Sequence, residues 1–124
     1  MSQDELSIDL RTEDAGELLI FKLRVSLDLA TAPTVRAALT EATDKGGREL
    51  VVDVTQLEFL DSTGLGALIG AHRRAAERGG SFRLVISEGP ISRLLTITGL
   101  MRVLAVYHSV EDARNDRGRV IAAL

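Results

Sequence analysis

From Leu50 to Val54 the sequence is short, apolar and rich in β-branched residues; from Leu65 onward apolar residues recur at helical spacing. Between them stands Leu57-Glu58-Phe59-Leu60-Asp61-Ser62-Thr63-Gly64-Leu65-Gly66. An apolar run of strand length needs cover on both faces of its sheet. A helix that follows it through a tight turn supplies one of those covers. A strand–turn–helix unit of this kind fits a mostly parallel α/β sheet and little else.

The rest of the chain repeats the alternation. Leu6, Ile8 and Leu10 alternate with polar residues, which predicts a strand exposed on one face. Glu13-Asp14-Ala15-Gly16 is a turn signal, and Leu18–Leu27 a second strand, so the first two strands are expected to form an antiparallel hairpin. Thr31 has the character of an N-cap before a helix with Pro33 in its first turn and the stripe Val35, Ala38, Leu39 and Ala42, stopped by Gly46-Gly47. A second helix carries Leu65, Leu68, Ile69, His72 and Ala76 and stops at Gly79-Gly80. Phe82–Ile86 is a buried strand, Pro90 opens a short helix with Ile91, Leu94 and Leu95 that ends at Gly99, and Val103–Tyr107 is the last strand. Ser109 with Asp112 resembles a capping box, and Val110, Ala113, Ile121 and Leu124 give the final helix an apolar side, interrupted at Gly118. The order β-β-α-β-α-β-α-β-α predicts one α/β domain over residues 1–124, with its core about 6–114. Its sheet is mixed and mostly parallel, with an N-terminal antiparallel hairpin and about four helices. Functional residues of such sheets gather at the carboxyl ends of the strands. Asp28 after the second strand, and Asp61 and Ser62 after the third, are therefore expected at one end of the domain.

Composition narrows the function. With 124 residues and an aromatic fraction of 3%, the core must come mainly from Val, Leu, Ile and Ala. A formal charge of −3, scattered Arg and few stacking aromatics argue against a nucleic-acid surface. There is no cysteine, which removes disulfides and thiolate metal sites. No apolar run approaches the roughly 18 residues of a membrane span, and the polar start Met1-Ser2-Gln3-Asp4-Glu5 is unlike a signal peptide, so a cytoplasmic location is expected.

Catalytic readings of the central motif fail on residue type. A hydrolase nucleophile elbow needs Gly-x-Ser-x-Gly, but Leu60 stands where the first glycine belongs, although His108 suits the chain order of a base. Gly64, Gly66 and Gly70 miss the dinucleotide fingerprint by one residue, and Gly70 is expected to let the helix pack closely on the sheet. His72 and His108 lack any metal-ligand spacing, so His72 is read as a hydrogen-bonded residue at the edge of the core. Asp53, inside an apolar strand, is expected near that strand's end, accepting backbone hydrogen bonds. Asp61, Ser62 and Thr63 are all good N-caps, and one is enough. What the motif offers is a small hydroxyl at a helix N-terminus with little bulk around it, a good place to add or remove a phosphate.

Several segments resemble one family: Leu27-Asp28-Leu29-Ala30-Thr31-Ala32-Pro33, Leu50-Val51-Val52-Asp53-Val54, Phe59-Leu60-Asp61-Ser62-Thr63-Gly64-Leu65-Gly66 and Thr98-Gly99-Leu100. In this order and spacing they are similar to the anti-sigma factor antagonists, single STAS-domain proteins of bacteria. The resemblance implies phosphorylation of Ser62 by an anti-sigma factor that is itself a serine kinase, release of the complex on modification, and reversal by a serine phosphatase. It implies a partner surface made of Asp28, Thr31, Asp61, Ser62, Thr63, Gly64, Leu65 and Gly66. It also implies no enzymatic activity, no cofactor or metal in this chain, no direct contact with nucleic acid or membrane, and a monomer or weak dimer. Val25-Ser26 departs from the family's usual Gly-Glu at that point. The alternative is a STAS-domain scaffold or transport-assembly subunit without a working phosphorylation switch.

Overall fold

The computed structural model describes residues 8–15, 18–44 and 49–120. Its elements are β1 (Ile8–Ala15), β2 (Leu18–Leu27), α1 (Ala32–Asp44), β3 (Glu49–Leu60), α2 (Ser62–Glu77), β4 (Ser81–Val85), α3 (Pro90–Thr98), β5 (Ala105–Tyr107) and α4 (Val110–Asn115), with a 3-10 turn at Leu100–Arg102. The strands form one sheet in the order β1-β2-β3-β4-β5. β2 to β5 are parallel neighbours, and β1 runs antiparallel to β2 from Ile8 opposite Val25 to Ala15 opposite Leu18. The residues read as a turn signal, Glu13 to Ala15, therefore belong to β1. Gly16, Leu6, Gly46-Gly47, Ile121 and Leu124 lie outside the described residues.

Because the parallel strands follow chain order, every crossover steps the same way. Right-handed crossovers then put α1, α2 and α3 on one face. The period-two alternation along the strands separates the two cores accordingly. Phe21, Leu23, Leu50, Val52, Val54, Phe82, Leu84 and Val106 face that helical layer. Leu18, Ile20, Val51, Val85 and Tyr107 face the other way and pack with Ala113 of α4. The α2 stripe runs through Leu65, Leu68, Ala71 and Ala75, whereas Ala76 is exposed. α4 stops at Asn115 with Asp116 in the left-handed region, and Ser109 Oγ accepts from Asp112 N–H at 3.0 Å as its cap.

β3 is much longer than its apolar core Leu50–Val54. β4 pairs with it only as far as Asp53, and beyond that point β3 continues to Leu60 beside β2. Along this extension β3 gains one residue on β2 between Asp53 and Gln56, and another between Leu57 and Phe59. These are bulges, which bend a strand and raise its twist. Asp53 sits at the first, mid-strand rather than at the strand's end, and its Oδ1 accepts from Thr55 N–H at 2.9 Å and Thr55 Oγ1 at 2.7 Å. The carboxylate thus satisfies a donor beside the bulge. At the second, Val25 of β2 has φ 78°. A β-branched side chain in that left-handed region costs about 1–2 kcal/mol.

Close approach fixes the start of α2. A Cβ on Gly64 would stand 2.3 Å from the Leu27 carbonyl oxygen, so glycine alone lets α2 lie against the end of β2. Gly66 and Gly70 have nothing within 4 Å of such a Cβ. Gly70 is exposed, so it does not serve close packing on the sheet as the sequence suggested. His72 packs edge-on to Phe82 with centroids 6.2 Å apart, but its buried Nδ1 has no hydrogen-bond partner among the described residues, contrary to expectation. Burial, helped by the charges of Arg73 and Arg119, holds its pKa below the ordinary value.

Two outcomes follow from this packing. Gly64→Ala should destabilise the domain by about 3 kcal/mol or more through backbone overpacking. Gly66→Ala, in open space on the same helix, should stabilise it by up to about 1 kcal/mol in denaturant melts. Because the folded protein holds His72 neutral where the unfolded chain would take a proton, stability should fall as pH drops below 6.5. His72→Gln should flatten that part of a stability–pH profile.

Candidate functional site

Two segments meet at the end of the β2–β3 extension: the β2–α1 loop and the start of α2. In the loop, Asp28 Oδ1 accepts from Ala30 N–H at 3.0 Å and Thr31 N–H at 3.1 Å. Thr31 Oγ1 accepts from Asp28 N–H at 2.9 Å and donates to the Ser26 carbonyl at 3.1 Å. The Thr31 hydroxyl is thus turned back into the loop, although the residue stands at the N-cap position of α1. Loops rich in Asp and Thr fold this way because short polar side chains reach backbone donors nearby.

Asp61 joins the two segments. It is the N-cap of α2, with Oδ1 accepting from Gly64 N–H at 2.8 Å. Its Oδ2 accepts from Leu29 N–H at 3.1 Å, across 32 positions of sequence. Its own N–H donates to the Leu27 carbonyl at 3.2 Å. One carboxylate therefore caps the helix and holds the loop against it.

With Asp61 as the cap, Ser62 is released from that duty. It is the first residue of α2, its side chain is exposed, and its hydroxyl makes no hydrogen bond among the described residues. Thr63 is half-buried, and Gly66 is open to solvent one turn on. Thr31, Gly64 and Leu65 are buried. These three shape the surface from beneath and do not form it, because the hydroxyl, the missing side chain and the leucine are each spent on internal packing. Three apolar residues of these segments remain exposed, Val25, Leu29 and Phe59; the sequence singled out Val25 as a departure from the family's glycine but gave Leu29 and Phe59 no role of their own. Only the extension of β3 beyond β4 puts Phe59 outside.

The other candidates fall away from this surface. His108 Nε2 lies 4.0 Å from Glu88 Oε1, and no hydrogen bond joins it to Ser62 among the described residues. Among the described residues no cluster of His, Asp and Glu could hold a metal ion, and no helix is long and apolar enough to cross a membrane.

A family model described as the STAS domain matches residues 9–113. The chain belongs to the STAS domain family. Among its curated relatives, the anti-sigma-B factor antagonist of Listeria monocytogenes is 33% identical over 110 residues, covering 89% of this chain and 95% of the relative. The anti-sigma F factor antagonist of Paenibacillus polymyxa is 28% identical over 109 residues, covering 87% and 93%. The crystal structure of an anti-sigma factor antagonist from Mycobacterium paratuberculosis superimposes with a TM-score of 0.81 at 26% identity, covering 89% of this chain and 93% of that one. Within the STAS fold, then, the exposed serine stands on a helix whose cap is a different residue.

That division of labour is measurable. Asp61→Ala should cost about 1–2 kcal/mol of stability, since it removes a cap and the loop contact together. Ser62→Ala should stay within about 0.5 kcal/mol of the parent protein. Chemical denaturation of the two variants side by side reads the difference.

Proposed function

We propose that this STAS domain is an anti-sigma factor antagonist: it binds a kinase-type anti-sigma factor, releases the sigma factor that the kinase holds, and is switched off when the kinase phosphorylates Ser62. The observation that carries this reading is the exposed Ser62 hydroxyl at the α2 N-terminus, free of any capping role because Asp61 supplies the cap. The relatives' names supply the class of partner.

The physics of the switch follows from the position. A phosphate brings about −1.5 to −2 charge at neutral pH. The helix dipole and the free N–H groups of the first turn tolerate an anion there, so the domain survives the modification. Asp61 is next in sequence, and its carboxylate binds the loop that also contains Asp28. Phosphorylation therefore concentrates negative charge on one small surface. A docked partner would have to desolvate that charge, which is expensive without matching cations. Binding fails while the fold stays intact. A serine phosphatase resets the surface by removing the phosphate. In this reading the chain is a binding module, ATP belongs to the kinase, and the setting is the cytoplasm.

The test compares two variants that the fold should treat alike. Ser62→Ala should bind the anti-sigma factor as the unmodified protein does and act as a permanently active antagonist. Ser62→Asp should bind more weakly, with a melting temperature close to that of Ser62→Ala. Titration of both against the partner, beside thermal melts, decides the matter. Equal affinities would contradict an electrostatic switch, and a collapse in the melting temperature of Ser62→Asp would mean that charge at this position unfolds the helix start instead.

A further inference from the structure

Helices α1 and α2 lie side by side on one face of the sheet and pack against each other. The seam between them is not closed along its whole length. A cavity of about 200 Å³ opens there, walled by Arg36 and Thr40 of α1 and by Gly70 and Arg74 of α2. Its floor is apolar, made by the buried Leu39, Ala67 and Ala71. Gly70 comes two turns after Ser62 on α2, about 12 Å along the helix at 1.5 Å per residue. The cavity is therefore separate from the Ser62 surface.

Both walls carry groups that the fold leaves unused. Arg36 is exposed, and none of the ion pairs among the described residues includes it. Thr40 is half-buried; its carbonyl accepts from the Thr43 hydroxyl at 2.9 Å, but its own hydroxyl makes no hydrogen bond among the described residues. Glycine weakens a helix interior relative to alanine, and a Cβ on Gly70 would meet nothing within 4 Å. Close packing therefore does not account for Gly70, whose effect is to keep the α2 wall open. Arg74 is engaged only in part. Its Nη1 lies 3.6 Å from Asp44 Oδ1, and Arg78 Nη2 lies 3.4 Å from the same oxygen. One carboxylate thus faces two guanidiniums, and a guanidinium has five N–H donors to place. Arg74 keeps donors and positive charge for a second anion.

We propose that the cavity between α1 and α2 binds a phosphate group, either free phosphate or that of a small phosphomonoester, through Arg36, Arg74 and Thr40. A carboxylate has two oxygens and is matched by a single guanidinium fork. Two forks and a hydroxyl, supplied by two helices, suit an anion with three free oxygens. The volume is below the about 300–1,000 Å³ of sites for drug-sized ligands, so a nucleotide is too large. Asp44 opposes the ligand from the far end of the cavity, so the site prefers anions without excluding solvent ions altogether. A bound phosphate links α1 to α2, the helices whose starts carry the Asp28–Thr31 loop and Ser62. Because the unfolded chain does not hold the two arginines together, binding stabilises the folded domain.

The test titrates the full chain with inorganic phosphate, glycerol 3-phosphate and acetate at constant ionic strength, followed by NMR shifts of backbone amides and by thermal melts. Either phosphate compound should move the amides of Thr40, Gly70 and Arg74 and raise the melting temperature, and acetate should do neither. Tighter binding of glycerol 3-phosphate assigns the site to a phosphomonoester, and equal or tighter binding of inorganic phosphate assigns it to the free ion. Arg36→Gln should weaken binding about tenfold or more through loss of charge-assisted hydrogen bonds. Gly70→Leu should fill the cavity and abolish binding, with a melting temperature in the absence of ligand at or above the parent's, because leucine is the better helix former. Asp44→Asn, which removes the competing carboxylate, should tighten binding several-fold. Ser62→Ala should bind as the parent does, which separates this site from the function proposed for Ser62. Acetate binding as well as the phosphates do, shifts confined to the start of α2, or folded Arg36→Gln and Gly70→Leu variants binding within twofold of the parent would each overturn the proposal.

Discussion

The functional end of this domain is organised by one carboxylate. Asp61 caps α2 through Gly64 N–H and holds the β2–α1 loop through Leu29 N–H. A serine or threonine in its place could cap the helix but has a single oxygen to offer, so it could not serve both segments with the reach that a carboxylate has. The close contact of Gly64 with the Leu27 carbonyl depends on the same junction, since Asp61 N–H also donates to that carbonyl. Helix, strand end and loop are thereby fixed as one surface. Ser62 stands on it exposed, with Asp61 as the cap and no hydrogen bond to its hydroxyl among the described residues.

The sheet explains why that surface is accessible. Strands β2 and β3 run on past the end of β4, and the two bulges in β3 bend the extension as it goes. Asp53 meets the demand of the first bulge with its own side chain. The second coincides with the strained Val25. Helices α1 and α2 cover one face of the sheet, and α4 packs against β3, β4 and β5 on the other. Among the described residues no helix is packed over the tip of the extension, where Phe59 is exposed.

Much of this is legible in the sequence because it depends on patterns of few residues. The alternation of apolar strands with helical stripes fixes the element order. Ser109–Asp112 and Asp61–Gly64 mark helix starts through capping, which is local chemistry. What escapes is non-local. Nothing in Leu57–Leu60 reveals that β3 outlasts β4, so the strand is read as Leu50–Val54. Val25 stands out in the sequence as a departure from the family's glycine, but its left-handed φ beside the bulge is not legible there. Asp61, Ser62 and Thr63 are equivalent as caps until the position of Leu29 selects the only one with two acceptor oxygens. Thr31 and Leu65 lie within the motif in sequence and beneath the surface in space, a distinction that spacing alone does not make.

The role proposed for Ser62 depends on its exposure and on a hydroxyl with no hydrogen bond among the described residues. The most direct measurement is incubation of the full chain with each kinase-type anti-sigma factor of its source organism and ATP, followed by mapping of the modified residue by mass spectrometry. A single phosphate on Ser62, absent from Ser62→Ala and not relocated to Thr63, is the expected result. A phosphate on Thr63, or no modification by any of those kinases while the parent protein remains folded, would contradict it.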